Sequence, residues 1–149
     1  ATQFGVPVTS VRYFTVYGPG QRPDMAFNKF ITTMMADEPI SVFGDGLQTR
    51  DFTFVEDAVT GTLQAGMVGP VGAVMNIGGG SRVALAEVIA VIEELAGTTA
   101  RIEYTDRQKG DARHTSADIS LARELIGYTP QTNLRDGLAA QIQWHRSLG

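Results

Sequence analysis

The sequence contains no cysteine, which excludes disulfides, thiolate metal sites and cysteine nucleophiles. That fits a reducing compartment, and the cytoplasm is the expected location. His114 and His145 are the only histidines and stand far apart, with no H-x-x-x-H spacing, so no metal site is expected. No run approaches the ~18 apolar residues of a membrane span. The opening A-T-Q-F-G-V-P lacks the basic and apolar regions of a signal peptide, and no membrane partner is expected. Charge of one sign is also scarce: 12 basic and 16 acidic residues give a formal charge of −4, with no block of five like charges. Sequence-independent binding to nucleic acid is therefore not expected. Three common catalytic or phosphate-binding signatures, G-x-G-x-x-G, G-x-x-x-x-G-K-[ST] and G-x-S-x-G, do not occur.

What is present is a chain of 149 residues, 43% hydrophobic, long enough to bury a core without staples. Residues 7–17 are rich in β-branched and aromatic types and end at Gly18-Pro19-Gly20, which predicts one buried strand and a loop. Apolar positions Met25, Phe27, Phe30, Ile31, Met34 and Met35 recur at helical spacing, predicting a helix over about 25–36 with Asp24 as its N-cap. Residues 40–43 and 53–55 read as short strands around Gly44-Asp45-Gly46. Glu56 and Asp57 then open a helix to about Met67, where acidic side chains suit the positive helix end.

Residues 73–77 read as a second buried strand closed by Gly78-Gly79-Gly80. That triplet loosely resembles a phosphate loop, although glycines after a strand are more often just a turn. Leu85, Val88, Ile89, Ile92 and Leu95 mark one face of a helix that Gly97 terminates in a left-handed cap. Residues 101–104 alternate like a half-exposed strand. Asp118 or Ser120 can cap a helix bearing Leu121, Leu125 and Ile126, stopped by Gly127 and Pro130, and Leu134, Leu138, Ile142 and Trp144 suggest a last helix. Short strands alternating with helices predict an α/β protein with no visible internal boundary.

Arginines set in turns are the clearest chemical feature. Arg22 lies in G-P-G-Q-R-P-D, Arg50 in G-D-G-L-Q-T-R-D-F, and Arg107 in R-Q-K-G-D. A guanidinium fork matches phosphate or carboxylate, so such positions are candidate anion anchors. Taken alone, Arg50 is equally a surface partner for Asp51 or Asp45, and the Arg107 turn a solvated loop.

Together these turns resemble the C-terminal half of the NAD-dependent nucleotide-sugar epimerases and dehydratases, the extended short-chain dehydrogenase/reductase family. R-Y-F-T-V-Y-G-P at 12–19, V-F-G-D-G-L-Q-T-R-D-F-T-F-V-E-D at 42–57, N-I-G-G-G at 76–80 and K-G-D-A-R-H-T-S-A-D at 109–118 occur in the family's order and spacing. The resemblance covers essentially the whole chain. It implies the last parallel strands of a Rossmann-like sheet plus a small, mainly helical substrate-binding domain, with NAD as cofactor and a UDP-sugar as substrate. It assigns Arg50 to the nucleotide diphosphate, the backbone of Ser41 and Phe43 to the uracil, and Asp111 to the ribose. Tyr13 and Phe14 correspond to residues beside the nicotinamide.

Two departures from the wider family point to the UDP-glucuronate 4-epimerases. Thr15 stands where most members have Asn, and Gln108 where many have a second diphosphate arginine, a contact Arg107 could take over. In that subgroup the threonine and the arginine seven positions on, here Thr15 and Arg22, hold the sugar carboxylate. The resemblance implies hydride removal from C4 to NAD, proton removal by a Tyr-x-x-x-Lys tyrosine, and return of the hydride to the other face of the ketone. A uronic acid oxidised at C4 is a β-keto acid, so clamping its carboxylate out of line with the carbonyl π system would discourage loss of CO2.

The glycine-rich fingerprint and the Tyr-x-x-x-Lys pair lie N-terminal to the matched region in the family, and this sequence holds neither. With Ala1 in place of Met and an early strand, the chain reads as the substrate-binding part of an epimerase, inactive alone. The full-length enzyme is expected to be a homodimer, and the fragment to swap or associate. A UDP-glucose 4-epimerase or 4,6-dehydratase, and a non-catalytic nucleotide-sugar-binding module, are the alternatives.

Overall fold

The apolar run at residues 7–17 forms two short strands instead of one. In the computed structural model, which describes residues 3–107, 110 and 112–148, β1 (Ser10–Tyr13) and β2 (Val16–Tyr17) flank a partner switch. β1 pairs in parallel with β6 (Val74–Ile77), whereas β2 pairs in parallel with β5 (Thr53–Phe54). Phe14 N–H still donates to Ile77 O at 3.1 Å, but the carbonyl of Thr15 accepts from Thr53 N–H at 3.0 Å. The chain therefore leaves one strand pair and joins another at residues 14 and 15. β1 is also not buried: Ser10, Arg12 and Tyr13 are exposed. One edge lies on β6 and one face meets the second helix; the remaining surface is uncovered among the described residues.

Helix α1 (Ala26–Met35) puts Phe27, Phe30, Ile31 and Met34 inward, as the spacing predicts. Its N-cap position is Met25 and carries no side-chain cap, because Asp24 pairs with Arg22 at 3.0 Å instead. β3 (Ile40–Phe43) follows and pairs in parallel with β8 (Ile102–Thr105). β4 (Thr49–Asp51) pairs antiparallel with β7 (Arg82–Ala84). Neither of these two three-residue strands is long enough to show alternation, and the sequence reading misses both. Helix α2 (Val55–Val68) begins with Glu56 and Asp57, yet Asp57 is buried and accepts from Gln131 N–H and Thr132 N–H at 2.9 and 3.1 Å. Its carboxylate joins distant chain as well as serving the helix end.

Helix α3 (Leu85–Ala96) ends at Gly97 in the left-handed conformation, φ +72°, as expected. Helix α4 (Ser120–Ile126) ends likewise at Gly127; Ile119 holds its cap position while Asp118 Oδ1 accepts Ser120 N–H at 3.0 Å. Helix α5 (Leu134–Ser147) is capped by Asn133, whose side chain accepts Asp136 N–H at 2.9 Å. The result is an α/β arrangement of three parallel strand pairs and one antiparallel pair among the described residues.

The main core joins Tyr17, Phe27, Phe52 and Phe54 to α1, α3 and α5, with Phe27 packed 4.6 Å from Phe52 and 5.1 Å from Tyr17 between ring centroids. A second cluster joins Met75 and Ile77 of β6 to α2, α4 and Tyr128. No helix of the described residues is long and apolar enough to cross a membrane.

Candidate functional site

Segments distant in sequence meet at one open cavity of about 280 Å³, lined in part by Thr15, Ser41, Phe43 and Arg50. Each arrives there for a local reason. Thr15 sits just beyond the carboxyl end of β1, where the chain changes strand partner. Along β3, Ile40 and Val42 point into the core, so strand alternation sends Ser41 and Phe43 the other way. Along β4, Asp51 is buried and Arg50 faces the opposite side. The Arg50 guanidinium donates through Nη1 to Thr49 O at 2.9 Å and to Arg113 O at 3.2 Å, which fixes its base beside the cavity.

Gln48, Lys29 and Phe52 also line this cavity and were not singled out from sequence. Gln48 Nε2 donates to Phe43 O at 3.0 Å, bracing the end of β3. Phe43 and Gln48 continue into a second hollow of about 130 Å³ with Arg107 and Arg113. There Arg113 pairs with Asp45 at 2.8 Å. The Leu47 N–H, then Arg113, hold the Asp45 carboxyl below the usual carboxylate range. Thr49 Oγ1 meets His114 Nδ1 at 2.8 Å, tying β4 to the same segment. Gln48 stands in the same G-D-G-L-Q-T-R turn as Arg50 and could have been flagged with it; Arg113 comes from 63 positions away and leaves no local signal. Gln108 and Asp111 lie outside the described residues.

Arg22 is placed differently from Thr15. It borders a third hollow of about 320 Å³ with Val16, Tyr17, Pro19 and Met25, and its Nη2 lies 3.0 Å from Asp24 Oδ2. Asp24, however, lines the Thr15 cavity, so the ion pair spans the ridge between the two spaces. Tyr13 and Phe14 sit at the carboxyl end of β1, with the Tyr13 hydroxyl 2.6 Å from Thr62 Oγ1 and its ring half exposed.

The glycine triplet is a packing device, in line with the turn reading and not with the phosphate-loop resemblance. Gly79 N–H donates to Asp51 Oδ1 at 2.6 Å, and Ala117 N–H donates to Asp51 Oδ2 at 3.2 Å. A Cβ on Gly79 would stand 2.0 Å from Phe52 O, and one on Gly78 would stand 2.3 Å from Ala117 Cβ. Burial raises the Asp51 carboxyl, against the lowering effect of the Gly79, Ala117 and Gly80 amides. Asp51 and Asp45 thus have their own partners, and surface pairing with Arg50 does not describe either carboxylate. Among the described residues no group of three His, Cys, Asp or Glu side chains could hold a metal ion.

Residues 1–78 match the NAD dependent epimerase/dehydratase family, and the chain belongs to it. It is 43% identical over 146 residues to the uncharacterized UDP-glucose epimerase YtcB of Bacillus subtilis, covering 97% of this chain and 46% of that protein. It is 39% identical over 145 residues to a UDP-glucuronate 4-epimerase of Thermodesulfobacterium geofontis, covering 96% and 44% respectively. The crystal structure of the UDP-glucuronic acid 4-epimerase of Bacillus cereus in complex with UDP-glucuronic acid and NAD superposes with a TM-score of 0.95 at 41% identity, over 99% of this chain and 48% of that one. The chain spans about half the length of these relatives.

Proposed function

We propose that these residues form the UDP-sugar-binding part of an NAD-dependent nucleotide-sugar 4-epimerase acting in the cytoplasm, with UDP-glucuronate the preferred substrate. The observation that carries this reading is the convergence of Thr15, Ser41, Phe43 and Arg50 on one cavity. Arg50 supplies a charged fork for the diphosphate, and Lys29 adds a second cation to the same wall. Ser41 and Phe43 present the edge of β3 to the base, with Gln48 holding the Phe43 carbonyl in place. Relatives described as UDP-glucuronate 4-epimerases support the uronate preference, and Thr15 offers a hydroxyl donor to a carboxylate.

In a whole enzyme of this family, bound NAD would supply a hydride acceptor for C4 of the sugar. Tyr13 and Phe14 fit only one part of that cofactor: they give ring surface at a strand end, suited to bordering the nicotinamide. The Gly79 amide is committed to Asp51 and offers the pyrophosphate nothing. No Tyr-x-x-x-Lys spacing occurs in the sequence, so binding without turnover is the expected behaviour of this chain.

The Arg22–Asp24 pair favours a second reading, a neutral hexose, because it leaves Arg22 outside the Thr15 cavity. Calorimetric titration with UDP, UDP-glucose and UDP-glucuronate separates the two. The proposal expects all three to bind, the uronate tightest, with no UDP-galacturonate formed on adding NAD. Arg50→Ala should weaken all three about tenfold to a hundredfold, the worth of a charge-assisted hydrogen bond. Equal affinity for uronate and glucose supports the hexose reading, and an Arg50→Ala variant that binds normally overturns the diphosphate assignment.

A further inference from the structure

Gln141 is a fully buried amide on a helix face that otherwise contributes Leu138 and Ile142 to the main core. A leucine there would pack without any polar group to satisfy, so the amide needs its hydrogen bonds to be tolerated. Both ends are used. Oε1 accepts Gly18 N–H at 3.0 Å, and Nε2 donates to Gln21 Oε1 at 3.0 Å. Gln21 in turn accepts Asn28 N–H at 3.0 Å and donates through Nε2 to Val16 O at 2.9 Å, while Asn28 Nδ2 donates to Gln21 O at 2.7 Å.

The orientation of this network is determined. Asn28 N–H requires the oxygen of Gln21 on its side, so Gln141 must turn its NH2 group to Gln21 and its oxygen to Gly18. Three side-chain amides, those of Gln21, Gln141 and Asn28, thereby hold the backbone at Val16, Gly18 and Gln21 respectively, with Thr15 just before the first and Arg22 just after the last. Gly18 has φ +135°, and a Cβ there would stand 2.7 Å from Val55 Cγ1, so the loop has little freedom to reach the same path in another way.

We propose that Gln141 is a positioning residue: from α5 it sets the loop at 18–22, and with it the Arg22–Asp24 pair on the ridge bordering the Thr15 cavity, whose opening toward a sugar carboxylate decides between a charged and a neutral sugar. This rests on the uronate reading for its second half only. Its signature is selective. The diphosphate end of the site rests on Arg50 of β4 and the edge of β3, with Lys29 held by α1 itself, and none of these residues belongs to the amide network, so nucleotide affinity should be independent of it.

Gln141→Met keeps volume and removes both hydrogen bonds; Gln21→Met cuts the same amide pair from the loop side. Each variant is compared with the native chain by titration with UDP, UDP-glucose and UDP-glucuronate, and by amide hydrogen exchange. Affinity for UDP should stay unchanged while the preference for uronate over glucose falls about threefold to tenfold, the usual weight of a buried hydrogen bond. In Gln141→Met, Gly18 N–H should exchange at least about tenfold faster, as a locally opened loop does, with Thr53 N–H unaffected. Unchanged exchange at Gly18, or equal weakening of all three ligands, overturns the proposal. If the native chain itself shows no uronate preference, the substrate reading fails, and the exchange rate alone then decides whether Gln141 holds the loop.

Discussion

Arg50 and Asp51 are adjacent in β4, and strand alternation gives them opposite tasks. Asp51 turns inward to gather the Gly79 and Ala117 amides, which locks the end of β6 and the chain before α4 beneath the cavity. Arg50 turns outward onto the cavity wall. The pair was partly legible in sequence: an arginine before a strand flagged an anion anchor, but the amides that claim Asp51 come from 28 and 66 positions away. The same distance hid the role of the glycine triplet, whose small size serves close backbone approach. Gly79→Ala should therefore destabilise the fold by about 1–3 kcal/mol, the cost of overpacking, because its Cβ meets the immobile carbonyl of Phe52. Chemical denaturation measures this, and a variant as stable as the parent would contradict the packing account.

At the scale of elements, most helices were readable because their apolar spacing is long enough to count, and Gly97 and Gly127 mark their ends with positive φ. The strand switch at residues 14 and 15 was not, since nothing in a continuous β-rich run says where pairing partners change. Nor was the inner face of α5 fully readable, because helical spacing marks Leu138 and Ile142 but gives no reason for a buried glutamine between them.

The same helix ends with Trp144 against His145, ring centroids 4.8 Å apart. Burial lowers the His145 pKa, and its Nε2 has no hydrogen-bond partner among the described residues. The folded state therefore favours the neutral ring. Its contribution to stability is present above the ordinary imidazole value of about 6.5 and is lost as pH falls through the lower folded value. Since Trp144 is the only tryptophan, its emission should report this titration with a midpoint below 6.5, absent in His145→Phe. A midpoint at or above 6.5 would contradict the burial account.

For the whole molecule, the cavity is assembled from pieces that only the tertiary fold brings together: the switch after β1, the outward side of β3, the outward side of β4 and the α1 residue Lys29. Overall charge does not predict that site, because the chain carries −4 while the cavity wall carries Arg50 and Lys29. Family membership says where to look, and the geometry says which side chains share a space: Thr15, Ser41, Phe43 and Arg50 do, and Arg22 stands across the ridge. The central claim is that this shared space receives the nucleotide sugar. Its most direct test is amide chemical-shift mapping of the chain during titration with UDP-glucuronate. The account predicts saturable shifts centred on Thr15, Ser41, Phe43 and Arg50; shifts confined to other surfaces, or none in a folded sample, would contradict it.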